Sequence, residues 1–273
     1  MKHDRYAVFG NPIAHSLSPR IHAAFAAQTK QDLTYDAWLA PLDGFASAVR
    51  RFAAEGGRGA NVTVPFKEEA FRLCDLLTPR ARDAGAVNTL SLEEGVIQGD
   101  NTDGVGLVHD LEHNLGWSLE GRRILLIGAG GAARGVLPPL LGQRPARLVL
   151  VNRTPGKAEA LVDEFVRDAA SPLAVIEISH LSESFDIIIN ATSASLAKEP
   201  LPLSDKVFAP DSLAYDIMYG SHTPFLEQAK LAGASVLSDG LGMLVEQAAE
   251  AFYVWRGLRP ITHPVLEMLR AEY

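Results

Sequence analysis

Several short stretches carry side chains whose types and spacing suit chemistry. In the run NVTVPFK, Asn61 and Thr63 alternate with Val62 and Val64, so both polar groups are expected on one side of a short strand. Pro65 then starts a helix whose first turn carries Lys67. The positive end of a helix dipole opposes a cation there and favours Glu68 and Glu69 instead. Lys67 is therefore either a solvated surface lysine or a group placed for proton transfer. Further on, Val87 to Leu92 and Val96 to Gly99 read as a hairpin turning at Glu93-Glu94-Gly95, with Asn88 and Thr89 on its first strand. Asp103 opens the next helix, where it caps the helix, complements its dipole, or aims a carboxylate at a ligand hydroxyl. Near the N-terminus, Ser18-Pro19 fits an N-cap followed by a first-turn proline. Ser16 and Ser18 then stand at a strand-to-helix crevice, either as a loop serine and a cap or as ligand donors. Gln247 lies at the edge of an apolar helix stripe, as an interfacial polar residue or as a donor into a cleft.

A second kind of chemistry is written in RRILLIGAGGAAR. The apolar run Ile124 to Ile127 breaks at Gly128, Ala129, Gly130, Gly131 and Ala132, which reads as a buried strand turning sharply into a helix. Such a turn lets backbone approach a pyrophosphate and aims free N–H groups and a positive dipole end at it. The third fingerprint position is Ala133 rather than glycine, and the same turn also serves tight helix packing, so the next strand has to decide. It runs from Arg147 to Val151 and ends in Asn152-Arg153-Thr154, with Lys157 beyond. A site for NAD places an acidic residue roughly 20 positions past the glycines to accept from the ribose 2′-hydroxyl. Here donors and two positive charges stand instead, which suits a 2′-phosphate, and the expected cofactor is NADP. Thr192, Ser193, Met218 and Tyr219 follow later strands and are expected along the same crevice. His109 to His113, HDLEH, formally matches a zinc-peptidase pattern, but no third ligand follows in a recognisable motif. It is read as a solvated polar helix face, with no metal expected.

These groups need elements to hold them. With 273 residues, 47% of them hydrophobic, the chain can build one large domain or two ordinary ones. A net charge of −8 argues against a phosphate-tracking nucleic-acid surface, so anions must be held locally. The single cysteine, Cys74, leaves no intramolecular disulfide framework. No apolar run nears the roughly 18 to 20 residues of a membrane span, and no signal peptide is evident, so a cytoplasmic location is expected. Strands alternating with helices after Gly121 indicate a doubly wound parallel sheet.

The motifs GNPIAHSLSP, NVTVPFK, GAVNTL, DNTDGVG, GAGGAAR, NRT, NATS, DIMY and DGLGMLVEQAAEAFYVW, in this order and almost end to end, resemble those of the shikimate dehydrogenases. The resemblance implies an α/β fold: an N-terminal α/β substrate domain over 1–102, a Rossmann dinucleotide-binding domain over 103–239, and C-terminal helices in 240–273 packing back on the first domain. It implies reversible NADP-dependent interconversion of shikimate and 3-dehydroshikimate, on the route to chorismate and the aromatic amino acids. Ser16 and Ser18 would hold the substrate carboxylate. Asn61, Thr63, Asn88, Asp103 and Gln247 would take the ring hydroxyls, and Tyr219 would line the same cleft. Lys67 would be the acid/base, with Asp103 as partner. Gly240 and Met243, at the opening of the last long helix, would complete the cofactor set. An NAD-preferring quinate/shikimate dehydrogenase and a catalytically silent NADP-binding protein are the alternatives, and either a monomer or a homodimer is compatible with the sequence.

Overall fold

A computed structural model describes residues 3–165, 171–192, 200–220 and 223–272. The chain forms two compact units, Met1–Leu107 with Leu244–Glu272, and Val108–Met243.

The first unit runs β1 (Asp4–Gly10), α1 (Ser18–Thr29), β2 (Leu33–Leu39), α2 (Phe45–Ala54), β3 (Gly57–Val62), α3 (Lys67–Leu73), β4 (Leu76–Leu77), α4 (Pro79–Ala84), β5 (Thr89–Glu93), β6 (Val96–Asp100) and the start of α5 (Asp103–His109). Its sheet has the order β2-β1-β3-β5-β6-β4. β1 pairs in parallel with β2 and β3, whereas β5 runs antiparallel to β3 and β6. Period-two alternation sends Ala7 and Phe9 into a core with Phe45, Val49 and Phe52 of α2, while Tyr6 and Val8 face a second cluster with Tyr35 and Trp255. Both faces of β1 are thus covered. The β5–β6 hairpin closes through Glu94 and Gly95, both at positive φ (51° and 82°), as a two-residue turn between strands of right-handed twist requires.

Two local expectations are corrected here. β3 ends at Val62, and the chain turns through a hydrogen bond from Phe66 N to Thr63 O, which leaves Val64 60% exposed instead of on a strand face. The helix accordingly begins at Lys67 rather than at Pro65. At α1, Leu17 rather than Ser18 occupies the N-cap position; Ser18 is the first helical residue, and its N–H donates to Ser16 Oγ at 3.3 Å. The Ser16 hydroxyl, two residues upstream, serves the Ser18 amide, and no side chain caps the helix from the N-cap position.

The second unit is built on β7 (Arg123–Ile127), α6 (Gly131–Gly142), β8 (Arg147–Val151), α7 (Pro155–Asp163), β9 (Leu173–Val175), β10 (Phe185–Asn190), β11 (Phe208–Asp216), α8 (Pro224–Leu231) and β12 (Val236–Ser238). The sheet order is β12-β11-β10-β7-β8-β9, parallel throughout. That is the doubly wound order in which the winding reverses beside the first strand, and dinucleotides bind at that reversal. β7, β8 and β10 are almost fully buried apolar runs, as expected of strands covered on both faces.

The units divide after Leu107 and Met243. A Cβ on Gly106 would stand 2.7 Å from Gln247 N, so the opening of α5 is packed against α9 (Leu241–Arg256). Within the second unit, a Cβ on Gly240 would run into the Ile217 carbonyl oxygen, and one on Gly242 into Asp110 Oδ1. Asp110 begins a single π-helical turn, Asp110–Asn114, directly after α5. Its carboxylate is fully buried and accepts from Tyr215 OH (2.7 Å) and Asn114 Nδ2 (2.8 Å). Burial first, then the Asp110 charge, pushes the Tyr215 hydroxyl well up, so it stays a donor. HDLEH is therefore no solvated face: its aspartate sits at the N-terminal turn of α9, where an anion is favourable. Gly242→Ala should drive a methyl group into this carboxylate and destabilise the protein by about 1–3 kcal/mol, read as a lower urea midpoint at unchanged slope.

A short helix, α10 (His263–Arg270), ends the described chain. No described helix is long and apolar enough to cross a membrane.

Candidate active site

In the first unit, Lys67 is the first residue of α3, and its carbonyl accepts from Val87 N at 2.9 Å, which ties the lysine to the strand hairpin. Its Nζ donates to Asp103 Oδ2 at 2.5 Å. The side chains are 15% and 5% exposed, so the pair is held largely out of water. Asp103 is aimed by its neighbours: its N–H donates to Asn101 Oδ1 (3.1 Å), and Asn101 Nδ2 donates to Ala86 O (2.9 Å).

Asn88 is the hub. Its Nδ2 donates to Asp103 Oδ1 (2.7 Å), Thr102 Oγ1 (3.0 Å) and Gln247 Oε1 (3.3 Å), while its Oδ1 accepts from Thr102 N and Thr89 Oγ1, both at 2.8 Å. Asn61 Nδ2 donates to Asn88 O and Thr89 Oγ1, both at 3.1 Å, and Asn61 Oδ1 accepts from Tyr35 OH at 2.7 Å. Gln247 Nε2 donates to Leu244 O at 2.8 Å, which orients its oxygen toward Asn88. Lys67, Asp103, Asn88, Asn61 and Gln247 thus form one connected polar cluster. Thr63 stands just beyond the end of β3, half-buried. Ser18 joins the cluster less directly: burial pushes the Tyr35 hydroxyl well up, and Ser18 beside it opposes the shift. Ser16 is half-buried just before α1.

Tyr35, Thr89 and Thr102 belong to this network although sequence patterning singled out none of them as site residues. Asn-Thr pairs at 88–89 and 101–102 were the available signal. Beneath Asn61 lies a further such residue, His22, 1% exposed and stacked on Tyr35 at 4.0 Å, with Phe25, Phe252 and Trp255 around it. Burial pushes its imidazole down to about 3, and the Asn61 carboxamide offsets this only in part. The ring is neutral in the fold but takes a proton in the unfolded chain below about 6.5. Its contribution to stability is present above that pH and is lost as the pH falls toward 3. His22→Phe should therefore flatten the decline of the urea midpoint between pH 6.5 and 4, an effect on the order of 3 kcal/mol. An unchanged slope would refute it.

In the second unit, Gly128 follows β7 with φ 116°, and a Cβ there would lie 3.0 Å from Ala191 O and 3.1 Å from Thr192 Cγ2. The β7 turn and the β10 end are thus in contact at the reversal of strand order. Gly130 is different: it is exposed and a Cβ on it would meet nothing within 4 Å, so the chain's own packing does not demand a glycine there. α6 follows with no acidic residue in its first turn. Ala129 and Ala132 are half-buried beside it. Past β8, Asn152 Nδ2 donates to Thr154 O at 2.8 Å, and Thr154 sits at the N-cap position of α7. Arg153 and Lys157 are exposed, and neither is ion-paired among the described residues. This donor set fits a dinucleotide with a 2′-phosphate: a glycine cradle, a helix N-terminus and two uncommitted cations.

Thr192 N and Oγ1 both donate to Asn190 Oδ1 (3.1 and 2.7 Å), and Met218 N donates to Asp216 Oδ1 (3.1 Å), so both β-strand ends are pinned. Tyr219 follows Met218, half-buried. Ser193 lies outside the described residues. Gly240 has a packing cause in Ile217, and Met243 N donates to Tyr215 OH at 3.3 Å. His109 and His113 stack at 4.2 Å, and among the described residues no group of three or more His, Cys, Asp or Glu side chains could hold a metal ion.

Family models match over most of the chain: the shikimate dehydrogenase substrate binding domain over 8–90, shikimate / quinate 5-dehydrogenase over 110–201, and the shikimate 5′-dehydrogenase C-terminal domain over 240–269. The chain is 60% identical to the shikimate dehydrogenase (NADP(+)) of Dechloromonas aromatica over 271 residues, covering 98% of each. It is 58% identical to that of Methylobacillus flagellatus, covering 98% of this chain and 99% of the relative. Among solved structures, the shikimate 5-dehydrogenase of Thermus thermophilus in complex with NADP(H) and shikimate superposes with a TM-score of 0.87 at 34% identity, covering 99% and 100% of the two chains. An Ael1 enzyme from Pseudomonas putida gives 0.90 at 49% identity, covering 97% and 98%. With two α/β units, a polar cluster in one and a doubly wound dinucleotide sheet in the other, the chain belongs to the shikimate dehydrogenase family.

Proposed function

We propose that this chain catalyses the reversible NADP-dependent interconversion of shikimate and 3-dehydroshikimate, with Lys67 and Asp103 moving the hydroxyl proton. The observation that carries the residue assignment is the largely buried Lys67–Asp103 pair held by Asn88. When bound, the dinucleotide supplies or accepts the hydride. On the protein side, the Lys67 ammonium donates to the substrate oxygen as negative charge develops there, and takes the proton back in the oxidative direction. Asp103 accepts a hydrogen bond from the same hydroxyl and balances the lysine charge. Asn61, Thr63, Asn88 and Gln247 orient the ring hydroxyls, Ser16 and Ser18 hold the carboxylate, and Tyr219 lines the substrate cleft. Gly128 to Ala132 receive the pyrophosphate, and Asn152, Arg153, Thr154 and Lys157 the 2′-phosphate. Thr192, Ser193, Met218, Gly240 and Met243 line the remainder of the dinucleotide. The boundaries that matter for function are those of a substrate domain (1–102 with 240–273) and a dinucleotide domain (103–239). The enzyme works in the cytoplasm, as a monomer or a homodimer.

The test is NADPH and NADH formation at 340 nm with shikimate and with quinate. The highest kcat/KM is expected for shikimate with NADP. A preference for NAD and quinate would assign the chain to the quinate branch, and no turnover with either acid at saturating dinucleotide would make it a binding protein.

A further inference from the structure

Asn88 is not the only link between the strand end that bears Asp103 and the helix that bears Gln247. On α4, Arg80 donates from Nε to Asp100 Oδ1 (2.6 Å) and from one terminal nitrogen to Asp100 Oδ2 (2.7 Å), a forked pair, and from its other terminal nitrogen to Glu250 Oε1 (2.8 Å). Asp100 ends β6 three residues before Asp103, and Glu250 lies on α9 three residues after Gln247, about one helical turn. The same two segments are therefore joined twice: Asp103 to Gln247 through Asn88, and Asp100 to Glu250 through Arg80.

The second link is itself braced. Thr78 Oγ1 and Asn101 N both donate to Asp100 Oδ1, at 2.6 and 2.7 Å. Arg259 donates to Glu250 Oε2 and, at 3.2 Å, to the fully buried Glu246. Burial pushes the Asp100 carboxyl up, but the bonds from Arg80 and Thr78 outweigh it and hold the group below its ordinary range. Thr78, Asp100, Val254 and Trp255 line a cavity of about 220 Å³ beside this link.

We propose that Arg80 is a positioning residue for the reaction: together with the Gly106–Gln247 contact, its fork sets the distance between the β6–α5 junction and α9, and through it the separation of Gln247 from the Lys67–Asp103 pair. The inference rests on the roles given above to Lys67, Asp103 and Gln247. A planar five-donor group is required, because one cation must satisfy two carboxylates in fixed directions.

The test is steady-state kinetics of Arg80→Met, Arg80→Lys, Glu250→Gln and the Arg80→Met/Glu250→Gln double variant, at a temperature well below each variant's melting point. Arg80→Met should lower kcat/KM for shikimate about ten- to hundredfold, since small misplacements of catalytic groups cost rates of this order. KM for NADP should stay within about twofold. Arg80→Lys should recover part of the loss, and the double variant should be no worse than Arg80→Met, because both changes remove one link. A lower melting temperature with kcat and shikimate KM within about twofold of the parent would overturn the proposal and leave the cluster a purely stabilising one. If Arg80→Met does not fold, Arg80→Lys and Glu250→Gln decide by the same criterion. Failure of the underlying reading looks different: there the parent enzyme would not turn over shikimate, or Lys67→Ala would match it.

Discussion

Lys67→Ala is expected to lower kcat by about 10²- to 10⁴-fold, the range associated with losing a positioned general acid or base. The case rests on placement. Nζ is 2.5 Å from Asp103 Oδ2, and both side chains are mostly removed from water. Truncation therefore removes a proton donor and also leaves the Asp103 carboxylate with Asn88 Nδ2 and no cation. The second effect costs folding stability as well, so kcat has to be measured on protein shown to be folded. Asp103→Asn is the companion variant: it keeps the shape and a hydrogen-bond acceptor while removing the charge. If Lys67→Ala leaves kcat within a few-fold and raises only KM for shikimate, Lys67 binds substrate and does not move its proton.

Arg153→Ala combined with Lys157→Ala should lower kcat/KM for NADP about a hundredfold while leaving that for NAD within a few-fold. Charge-assisted hydrogen bonds contribute about 1.5–3 kcal/mol each, and exposure puts these two at the low end. Together that is about 3 kcal/mol, or two powers of ten. The exposed side chains have no ion-pair partner among the described residues that would mask the loss. Because the attraction is screened, the gap between parent and variant should narrow as salt is raised. Equal losses with both dinucleotides would move the two cations from phosphate recognition to a general role in the fold.

The parts of this molecule that local chemistry dictates are legible in the sequence. The glycine turn after β7, the hairpin at Glu94-Gly95, the parallel buried strands and the family resemblance all depend on residues near one another in the chain. What escapes depends on distance. Lys67 and Asp103 are 36 residues apart, and only the family resemblance pairs them; Arg80 and Glu250 are 170 apart, and no periodicity could announce that they meet. Asp110 shows the same limit from the other side: HDLEH reads as polar and exposed, yet Tyr215, 105 residues later, takes its carboxylate into the core. The N-cap falls on Leu17 rather than Ser18, because the N-cap preference identifies a suitable oxygen but not the φ/ψ that decides which residue stands first in the helix.

The hydrogen bonds that Asn61, Asn88, Asp103 and Gln247 make with one another also bear on how the enzyme rejects wrong molecules. On the proposed assignment, a ring hydroxyl entering this cluster exchanges an internal bond for an external one, and the net gain of such an exchange is small, about 0.5–1.5 kcal/mol. Opening the Lys67–Asp103 pair without restoring both bonds is costly, because it strands a charge away from water. Selectivity then comes less from attraction to the right alcohol than from a penalty on its near relatives. A deoxy analogue should bind worse by more than the value of the one contact it lacks.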